Sequence, residues 1–340
     1  MTAATERPVS ESIIEGGGVT AAPEQAQVPL VRRVAGHIGA DVEEVDLSRP
    51  LGDAAVRTLT EALHRYKVLF FRDQRLDHAS QVAFGRQFGE LTYAHPHEEA
   101  PPEEAPEILT IDPRKYAARY GEDYRAEQRR RYSYYAGWHT DVTASVNPPA
   151  GSILRAEVVP EFGGDTTWTN LVAAYQGLSE PVRAFVDGLR AVHRFGGAEG
   201  PLGGRYKQRI EDNLLVAEHP VVRVHPVTGE RALFVNPGFT SHVVGVRTQE
   251  SKAVLDLLYA EIARPEYTVR FRWRPGSVAF WDNRATAHLA PTDLDHLDVQ
   301  RTLHRITLVG DVPVGPDGRP SELLAGRPFT ATRADVVVSD

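Results

Sequence analysis

The chain has 340 residues, of which 41% are hydrophobic, so it is long enough to bury a full core and short for two independent domains. Its formal net charge of -8, with no basic block longer than residues 129–131, argues against nucleic acid as a partner. Because the chain contains no cysteine, disulfides, thiolate metal sites and cysteine nucleophiles are excluded. Any bound metal must be held by His, Asp or Glu.

The first 28 residues are rich in Ala, Gly, Glu and Pro without hydrophobic periodicity, and we expect residues 1–28 to form a disordered tail. They contain no apolar run of signal-peptide length, and no apolar span of 18 residues occurs elsewhere. We therefore expect a cytoplasmic protein that has no membrane partner. A single domain should cover residues 29–330, followed by a short tail at 331–340.

Two helices and one strand are predicted before residue 90. In LSRPLGDAAVRTLTEALHRYKVLFFRD the apolar residues Val56, Leu59 and Leu63 recur at helical spacing, and Val68 to Phe71 follow as a buried strand. The segment DHASQVAFGRQFGEL predicts a second helix that begins at an acidic cap and ends at Gly89.

The composition changes between residues 97 and 137. HEEAPPEEAPEI is acidic and rich in proline, and DPRKYAARYGEDYRAEQRRRYSYYAG is charged and rich in tyrosine. A long interruption beside a motif is more often a lid or a binding loop than core. We therefore interpret residues 97–137 as a lid-like insertion in the single domain.

Short strand-like runs dominate the remainder of the chain. They are GSILRAEVV, HPVVRVHP, RALFVN, TVRFRWRPGSVAFWDN and HRITLVGD, separated by turns that contain Gly, Pro or Asp. Two predicted helices interrupt them, LVAAYQGLSEPVRAFVDGL and QESKAVLDLLYAEIAR. Many short strands with few helices predict a mostly β fold with peripheral helices, of the jelly-roll type (a cupin-like double-stranded β-helix).

A candidate metal site begins in YYAGWHTDVTASVNPP, where His139 and Asp141 stand two residues apart. On a strand, residues i and i+2 point to the same side, so an imidazole and a carboxylate can reach one ion at about 2 Å. His288, expected on a turn after the run that ends at Asn283, offers a third ligand. Two His and one carboxylate leave three sites of an octahedron open, which suits non-haem Fe(II) that binds a bidentate co-substrate and O₂. An HxD pair alone often occurs by chance, so its context decides.

That context resembles the taurine dioxygenase and 2,4-D dioxygenase family of Fe(II)/2-oxoglutarate oxygenases. The matching segments, in the family's order, are KVLFFRDQ, FGRQFGEL, WHTDVT, GGDTTWTN, HPVVRVHPVTGERALFVNPGF, WDNRATAH and QRTLHRITLVGDVP, and the likeness extends from about Val31 to Pro328. It implies Fe(II), 2-oxoglutarate as co-substrate and O₂ as oxidant. His139, Asp141 and His288 match the iron ligands and are the expected catalytic residues.

The resemblance also implies a binding site for 2-oxoglutarate. Thr166, in GGDTTW, matches a threonine that hydrogen-bonds the co-substrate, and Arg301, thirteen residues after His288, matches the arginine that pairs with its distal carboxylate. A planar guanidinium suits bidentate carboxylate binding, and a hydroxyl can complete the hydrogen bonds of the anion.

Substrate residues are implied in the same way. Arg305 matches the arginine that binds the anionic head group in sulfonate-oxidising members, and its spacing from Arg301 predicts that both lie on one face of a strand. His95 resembles a substrate-contacting histidine, although the alignment there could slip to His97. Val142 and Phe239 match positions that line the apolar part of the pocket.

Two tyrosines next to the HxD motif, Tyr134 and Tyr135, favour a substrate that is larger and more apolar than taurine. We therefore expect oxidation of an unactivated C–H bond in a small anionic molecule with a sizeable apolar body, with release of succinate and CO₂. The ending GDVPVGPDGRPSELLAGRP is most similar to the alkyl-sulfate-cleaving branch.

Other activities stay open at this point. The aromatic segment before the motif is also typical of tailoring oxygenases of secondary metabolism, which would act on a carboxylated terpenoid by pentalenolactone-type oxidation, desaturation or epoxidation. A zinc hydrolase could use the same three ligands, but it would not need Thr166 and Arg301. A non-catalytic metal-binding jelly roll would be expected to lose part of the ligand set. We also expect a homo-oligomer, either a dimer or a tetramer.

Overall fold

The computed structural model describes residues 28–97, 101–115, 118, 121, 137–195, 204–290, 293–294 and 296–332. Nearly all of the two predicted tails and much of the predicted lid, including Tyr134 and Tyr135, lie outside these residues. At the beginning of the predicted C-terminal tail, Thr332 is paired, because its backbone N–H donates to the carbonyl of Leu91 at 2.9 Å.

Most regular elements of the described chain are strands. They are β1 (Leu30–Arg33), β2 (Ala40–Glu43), β3 (Val68–Phe71), β4 (Leu109–Ile111), β5 (Gly151–Val158), β6 (Thr166–Asn170), β7 (Arg190–Arg194), β8 (Val216–Pro220), β9 (Val222–Val224), β10 (Arg231–Leu233), β11 (Thr240–Val243), β12 (Thr268–Phe271), β13 (Val278–Asp282), β14 (Thr286–Leu289), β15 (Thr302–Thr307) and β16 (Glu322–Ala325). The helices with defined ends are α1 (Asp53–Tyr66), α2 (His78–Arg86), α3 (Leu171–Gly177), α4 (Glu180–Val186), α5 (Gly204–Asp212) and α6 (Thr248–Ile262). A short 3₁₀ helix, Pro265–Tyr267, follows α6.

The strands form one large sheet and several smaller ones. The large sheet has seven strands in the order β1-β2-β3-β13-β5-β15-β4, antiparallel except for the β2–β3 pair. The smaller sheets are β12-β6-β14, β11-β7-β8-β16 and β10-β9. This architecture confirms the predicted mostly β jelly roll with peripheral helices.

Strand β3 shows why a continuous apolar run is needed in the large sheet. Phe70 packs towards the small sheet, where its ring stacks on Phe271 with 4.3 Å between centroids. Leu69 and Phe71 point to the opposite face and pack against α1 and α2. Because both faces of the strand are covered, all four residues are buried and none alternates with a polar residue.

The first two predicted helices are present, with one difference at an end. Helix α2 begins at the predicted acidic cap, where the Asp77 side chain accepts from the backbone N–H of Ser80 at 2.8 Å. It ends at Arg86, three residues before the predicted Gly89. None of the helices in the described part of the chain is long and apolar enough to cross a bilayer.

Three other elements differ from the sequence prediction. The helix predicted through residues 171–189 is divided into α3 and α4, because Pro181 has no N–H and restricts the residue before it. Helix α5 was not predicted, since its segment follows a glycine-rich stretch. Strand β4, inside the predicted insertion, pairs with β15 as the edge of the large sheet.

Candidate metal centre and co-substrate site

The three predicted metal ligands converge between the large sheet and the sheet that contains β14. One donor atom each of His139, Asp141 and His288 lies within 4.8 Å of the other two, and His288 Nε2 is 4.0 Å from Asp141 Oδ1. Asp141 and His288 are buried, and His139 is half-buried. Small movements would bring all three atoms to about 2 Å from one ion.

The backbone brings these ligands together in a way that the sequence did not predict. His288 lies on strand β14 and not on a turn, since the turn is completed before it at Asp282 to Ala285. His139 forms an isolated antiparallel bridge with His288, and their backbone N–H groups donate to each other's carbonyls at 2.9 and 2.7 Å. A turn follows at once, and Val142 has a φ of +44°. His139 therefore lies at the end of a short strand pairing and Asp141 lies in the turn that follows, so the two are not on one regular strand.

The ionisation of the three groups suits metal binding. His139 Nδ1 lies 3.0 Å from the carbonyl oxygen of Gly137; because a carbonyl only accepts, Nδ1 carries the proton and the Nε2 lone pair is left for a metal. Burial alone would raise the pKa of Asp141. The guanidinium of Arg305 and the two histidines lower that pKa by a larger amount, so its value falls from 3.8 to about 2. Burial and His139 lower the pKa of His288 to about 3. At neutral pH a neutral His288 imidazole and the Asp141 carboxylate therefore face His139, and two histidines with one carboxylate are a donor set that fits Fe(II).

A second group of potential ligands, His64, His225 and Asp282, lies elsewhere in the described chain. Its donor atoms already have partners. Arg284 donates to both carboxylate oxygens of Asp282 at 2.8 Å, and His225 Nε2 lies 2.9 Å from Asp282 Oδ2. The same guanidinium contacts His64 Nε2 at 3.2 Å. Because a guanidinium occupies the centre of this group, we interpret it as a buried ion cluster and not as a metal site.

Arg301, one of the two predicted co-substrate residues, contacts the backbone shortly before the other, Thr166. Arg301 donates through Nε and Nη2 to the carbonyl oxygen of Gly164 at 3.1 and 3.0 Å, only two residues before Thr166. The Thr166 hydroxyl accepts from Trp273 Nε1 at 3.0 Å, which leaves its own proton to donate to an anion. In the register of β6 and β14, Trp168 is opposite His288, so Thr166 lies on the same face as His288.

The approach of Arg301 to this strand depends on glycine. Gly164 has a φ of +65°, and a Cβ atom there would lie 3.0 Å from Arg301 Nε and 2.7 Å from Leu294. Strand β15 begins at Thr302, so Arg301 lies just before it and Arg305 lies within it. At that end of the pairing β5 carries one extra residue, since Thr302 is opposite Val158 and Leu303 is opposite Ala156. The placement of Arg301 and Arg305 on one face of a strand stays a prediction.

Arg305 is a buried cation at the edge of the metal centre. Its side chain is 9% exposed, and Nη1 donates to Asp141 Oδ1. Its Nε is buried and has no hydrogen-bond partner among the described residues. A carboxylate oxygen accepts several hydrogen bonds, so the contact with Asp141 is compatible with a metal on the same oxygen.

The structure distinguishes His95 from His97. Burial, His97 and the Arg305 guanidinium lower the pKa of His95 well below its usual range, which places His95 near that cation. His95 Nδ1 accepts from the backbone N–H of His97 at 3.1 Å, so Nε2 carries the proton. His97 instead packs on Phe195, with 4.2 Å between ring centroids. His95 is therefore the better placed of the two to meet an anion held by Arg305.

Val142 and Phe239 belong to one apolar cluster beside the ligands. The cluster consists of Val142, Ala144, Phe195, Ile210, Leu215 and Phe239, with Phe329 packed against it. The ring of Phe239 lies 6.4 Å from that of His139. The turn that carries it needs Gly238, because a Cβ there would be 3.0 Å from His139 Cβ. The predicted apolar residues thus form one wall next to the metal centre.

Comparisons with known proteins decide the family. The family model described as "Taurine catabolism dioxygenase TauD, TfdA family" matches residues 30–307. The chain is 40% identical to an alpha-ketoglutarate-dependent sulfate ester dioxygenase of Pseudomonas putida, over 86% of this chain and 93% of that protein. It is 36% identical to an alkylsulfatase of Acinetobacter baylyi, over 85% and 87%. A crystal structure of a taurine dioxygenase from Burkholderia xenovorans superposes with a TM-score of 0.77 at 50% identity, over 88% and 96%.

The chain belongs to the TauD/TfdA family. It is a 2-oxoglutarate-dependent dioxygenase, 2-oxoglutarate and alpha-ketoglutarate being one compound, and it uses Fe(II) and O₂. This confirms the predicted reaction class and cofactors. The roles of individual residues remain predictions.

Sequence reasoning missed a buried polar layer behind the apolar wall of this TauD/TfdA domain. Thr143 Oγ1 meets His193 Nδ1 at 2.9 Å and Asn236 Nδ2 at 3.1 Å, and His219 Nε2 donates to the Thr143 carbonyl at 2.8 Å. Asn236 Oδ1 accepts from the backbone N–H of Phe239 at 2.9 Å. The layer thus fixes Thr143, which follows Val142, and the turn that carries Phe239. Polar residues dispersed over almost a hundred positions give no local signal for such a cluster.

This layer predicts an acid-sensitive fold. Burial lowers the pKa of His219 from 6.5 to about 3, whereas in the unfolded chain it returns to about 6.5. Between those values the unfolded state binds the extra proton, so this contribution to stability is complete above pH 6.5 and is lost as the pH falls towards 3. We expect the free energy of unfolding, measured with urea, to decrease less steeply with acid in His219→Gln than in the wild type. His242→Gln, at an exposed position, is the control; equal slopes in the wild type and His219→Gln would contradict the assignment.

Proposed function

We propose that this enzyme oxidises alkyl sulfates or alkyl sulfonates with a sizeable apolar body. The observation that carries the proposal is Arg305, a buried cation that contacts the predicted metal ligand Asp141 and whose Nε has no partner among the described residues. A buried donor of this kind is costly unless a ligand satisfies it. The names of the sulfate ester dioxygenase and alkylsulfatase relatives support the same substrate class.

The residues have separate tasks in this proposal. His139, Asp141 and His288 hold Fe(II), which when bound couples the oxidative decarboxylation of 2-oxoglutarate by O₂ to oxidation of a substrate C–H bond. Thr166 and Arg301 hold the co-substrate by its carboxylates. The anionic head of the substrate pairs with Arg305 and accepts from His95 Nε2, while its hydrocarbon packs on the wall formed by Val142, Phe195 and Phe239.

The position of the oxidised carbon determines the products. A hydroxyl group placed on the carbon that bears a sulfate ester makes the C–O bond to sulfate labile. Sulfate leaves with the electron pair of that bond, the hydroxyl loses its proton, and an aldehyde remains. Succinate and CO₂ account for the other products.

A substrate series tests the proposal. Medium-chain alkyl sulfates should exceed taurine in kcat/KM by about 100-fold, because each buried CH₂ contributes about 0.8 kcal/mol before ordering costs. Arg305→Leu should lower kcat/KM for the best alkyl sulfate by about 100-fold or more and leave the KM for 2-oxoglutarate nearly unchanged. Release of sulfate and succinate gives both measurements.

Controls make this series decisive. The exposed Arg319→Leu variant should behave as the wild type, and the alcohol of equal chain length should be a poor substrate for both. Faster turnover of taurine than of every larger anion would exclude the apolar body. Equal turnover of the alcohol by the wild type would remove the assigned role of Arg305.

Some predictions from the sequence are kept as part of this proposal. We propose a cytoplasmic homo-oligomer in which residues 29–330 form one catalytic domain. The contact of Arg301 with Gly164, two residues before Thr166, supports an oxygenase over a hydrolase, since a hydrolytic zinc site has no use for a clamp for 2-oxoglutarate. We also propose that residues 97–137 cover the substrate. Much of this segment, including Tyr134 and Tyr135, lies outside the described residues.

A further inference from the structure

The two oxygens of the Asp141 carboxylate have different surroundings. Oδ2 accepts a hydrogen bond from Ser152 Oγ at 2.6 Å. Oδ1 faces the other ligands, 4.0 Å from His288 Nε2, and also accepts from Arg305. One oxygen is thus directed to the metal centre and the other into the large sheet.

The direction of each hydrogen bond behind Oδ2 follows from the chemistry of the groups. An indole nitrogen only donates, so Trp281 Nε1, at 2.8 Å, identifies the acceptor oxygen of the Asn283 amide. The amide nitrogen of Asn283 then donates to Ser152 Oγ at 2.8 Å. Since Ser152 accepts there, its single proton is directed to Asp141. All three of these residues are fully buried, so water does not compete for the same groups.

Strand register fixes the hydrogen bonds that connect Trp281 through Asn283 and Ser152 to Asp141, and Trp281 also contacts a second predicted metal ligand, His288. Ser152 on β5 lies directly opposite Trp281 on β13 in the large sheet, and Asn283 follows the end of β13. The ring of Trp281 packs against that of His288, with 5.0 Å between centroids. His288 Nδ1 has no hydrogen-bond partner among the described residues, so the contact with Trp281 takes the place of the hydrogen bond that usually orients a histidine ligand.

We propose that Ser152, held by Asn283 and Trp281, is a positioning residue that makes Asp141 bind the metal through Oδ1 alone. This inference rests on the proposed role of Asp141 as a metal ligand. A carboxylate bound through one oxygen takes one coordination position, and three positions are left for 2-oxoglutarate and O₂. Without the Ser152 hydrogen bond the Asp141 carboxylate can rotate and bind the metal through both oxygens. The carboxylate is then also no longer held in its binding orientation in the metal-free protein.

Binding of Co(II) to the untagged protein under anaerobic conditions tests this directly. Ser152→Ala should raise the Kd for Co(II) by about 10- to 100-fold, as is typical when the partner of a metal ligand is removed. The visible spectrum of the bound Co(II) should also change, because its coordination number and geometry change. Both readings are taken well below the unfolding temperature, so a merely structural role of Ser152 would move neither.

Two further variants complete the experiment. Ser277→Ala is the matched control, since Ser277 is an equally buried serine that accepts from Arg72 and Arg274 near the other end of β13, and its Kd should equal that of the wild type. Asn283→Asp keeps the size of the side chain but replaces the amide donor by an acceptor. That change draws the Ser152 proton away from Asp141, so the Kd should rise as in Ser152→Ala.

The outcomes are distinguishable. A wild-type Kd and spectrum in Ser152→Ala, with binding still lost in Asp141→Ala, would overturn the role of Ser152 and leave the proposed iron site intact. Equal binding in Asp141→Ala and the wild type would instead remove Asp141 from the site, and the inference with it.

Discussion

Replacing His139, Asp141 or His288 by alanine is expected to abolish 2-oxoglutarate-dependent turnover. Their donor atoms are within 4.8 Å of each other, and two remaining ligands hold a divalent ion only weakly. We expect succinate formation to fall by at least about 1000-fold in each variant, because Fe(II) supplies the redox chemistry for which the protein has no substitute. Anaerobic metal titration should show weakened binding in the same three proteins.

The Asp141 variant needs its own control. Alanine there leaves the buried Arg305 without a carboxylate, which alone is expected to reduce stability by about 3–5 kcal/mol. Thermal unfolding of each variant separates this effect from loss of the metal. His242→Ala, at an exposed position, should remain fully active. Full activity in any one of the three ligand variants would remove that residue from the centre.

Arg301→Ala is expected to raise the KM for 2-oxoglutarate by about 100-fold or more. The distal carboxylate of the co-substrate would be buried without its guanidinium partner, which costs about 3–5 kcal/mol. The KM for the organic substrate should change far less, since Arg305 and not Arg301 is assigned to the anionic head. Succinate formation at varied 2-oxoglutarate gives the KM.

Two comparisons sharpen this expectation. Arg301→Lys keeps the charge but lacks the planar pair of donors, so its KM should lie between those of the wild type and the alanine variant. Arg274→Ala is a control at an arginine outside the proposed site. If Arg301→Ala bound 2-oxoglutarate as tightly as the wild type does, the clamp would have to be reassigned, with Arg305 as the first candidate.

The features that the sequence predicted well are those encoded by neighbouring residues. The cap of α2 requires only Asp77 and Ser80, three positions apart, and strand β3 is visible as four consecutive apolar residues. His139 and Asp141 could be found because two residues of suitable chemistry stand close together in a motif. His288 was offered as a third ligand from its position after a strand-like run, whereas Thr166 and Arg301 were identified only through the order of family motifs around them.

Features that depend on distant partners could not be predicted in this way. The extra residue that β5 carries opposite Thr302 and Leu303 becomes visible only when β5 and β15 are paired. Ser152 and Asn283 are 131 residues apart, and each alone is an ordinary polar residue. Their roles follow only when β5 and β13 are seen side by side. The same holds for the polar layer around Thr143, to which four different segments contribute.

The pairing of β6 with β14 makes this catalytic site intolerant of small insertions and deletions. Trp168 is opposite His288, and Thr166 shares their face of the sheet. Deleting one residue within either strand would turn the side chains after it to the other face, because alternation along a strand has a period of two. The metal ligand and the co-substrate residue would then be directed to opposite sides, so a one-residue change in length removes both functions at once. Natural variation in length among relatives should therefore be confined to the loops and absent from these two strands.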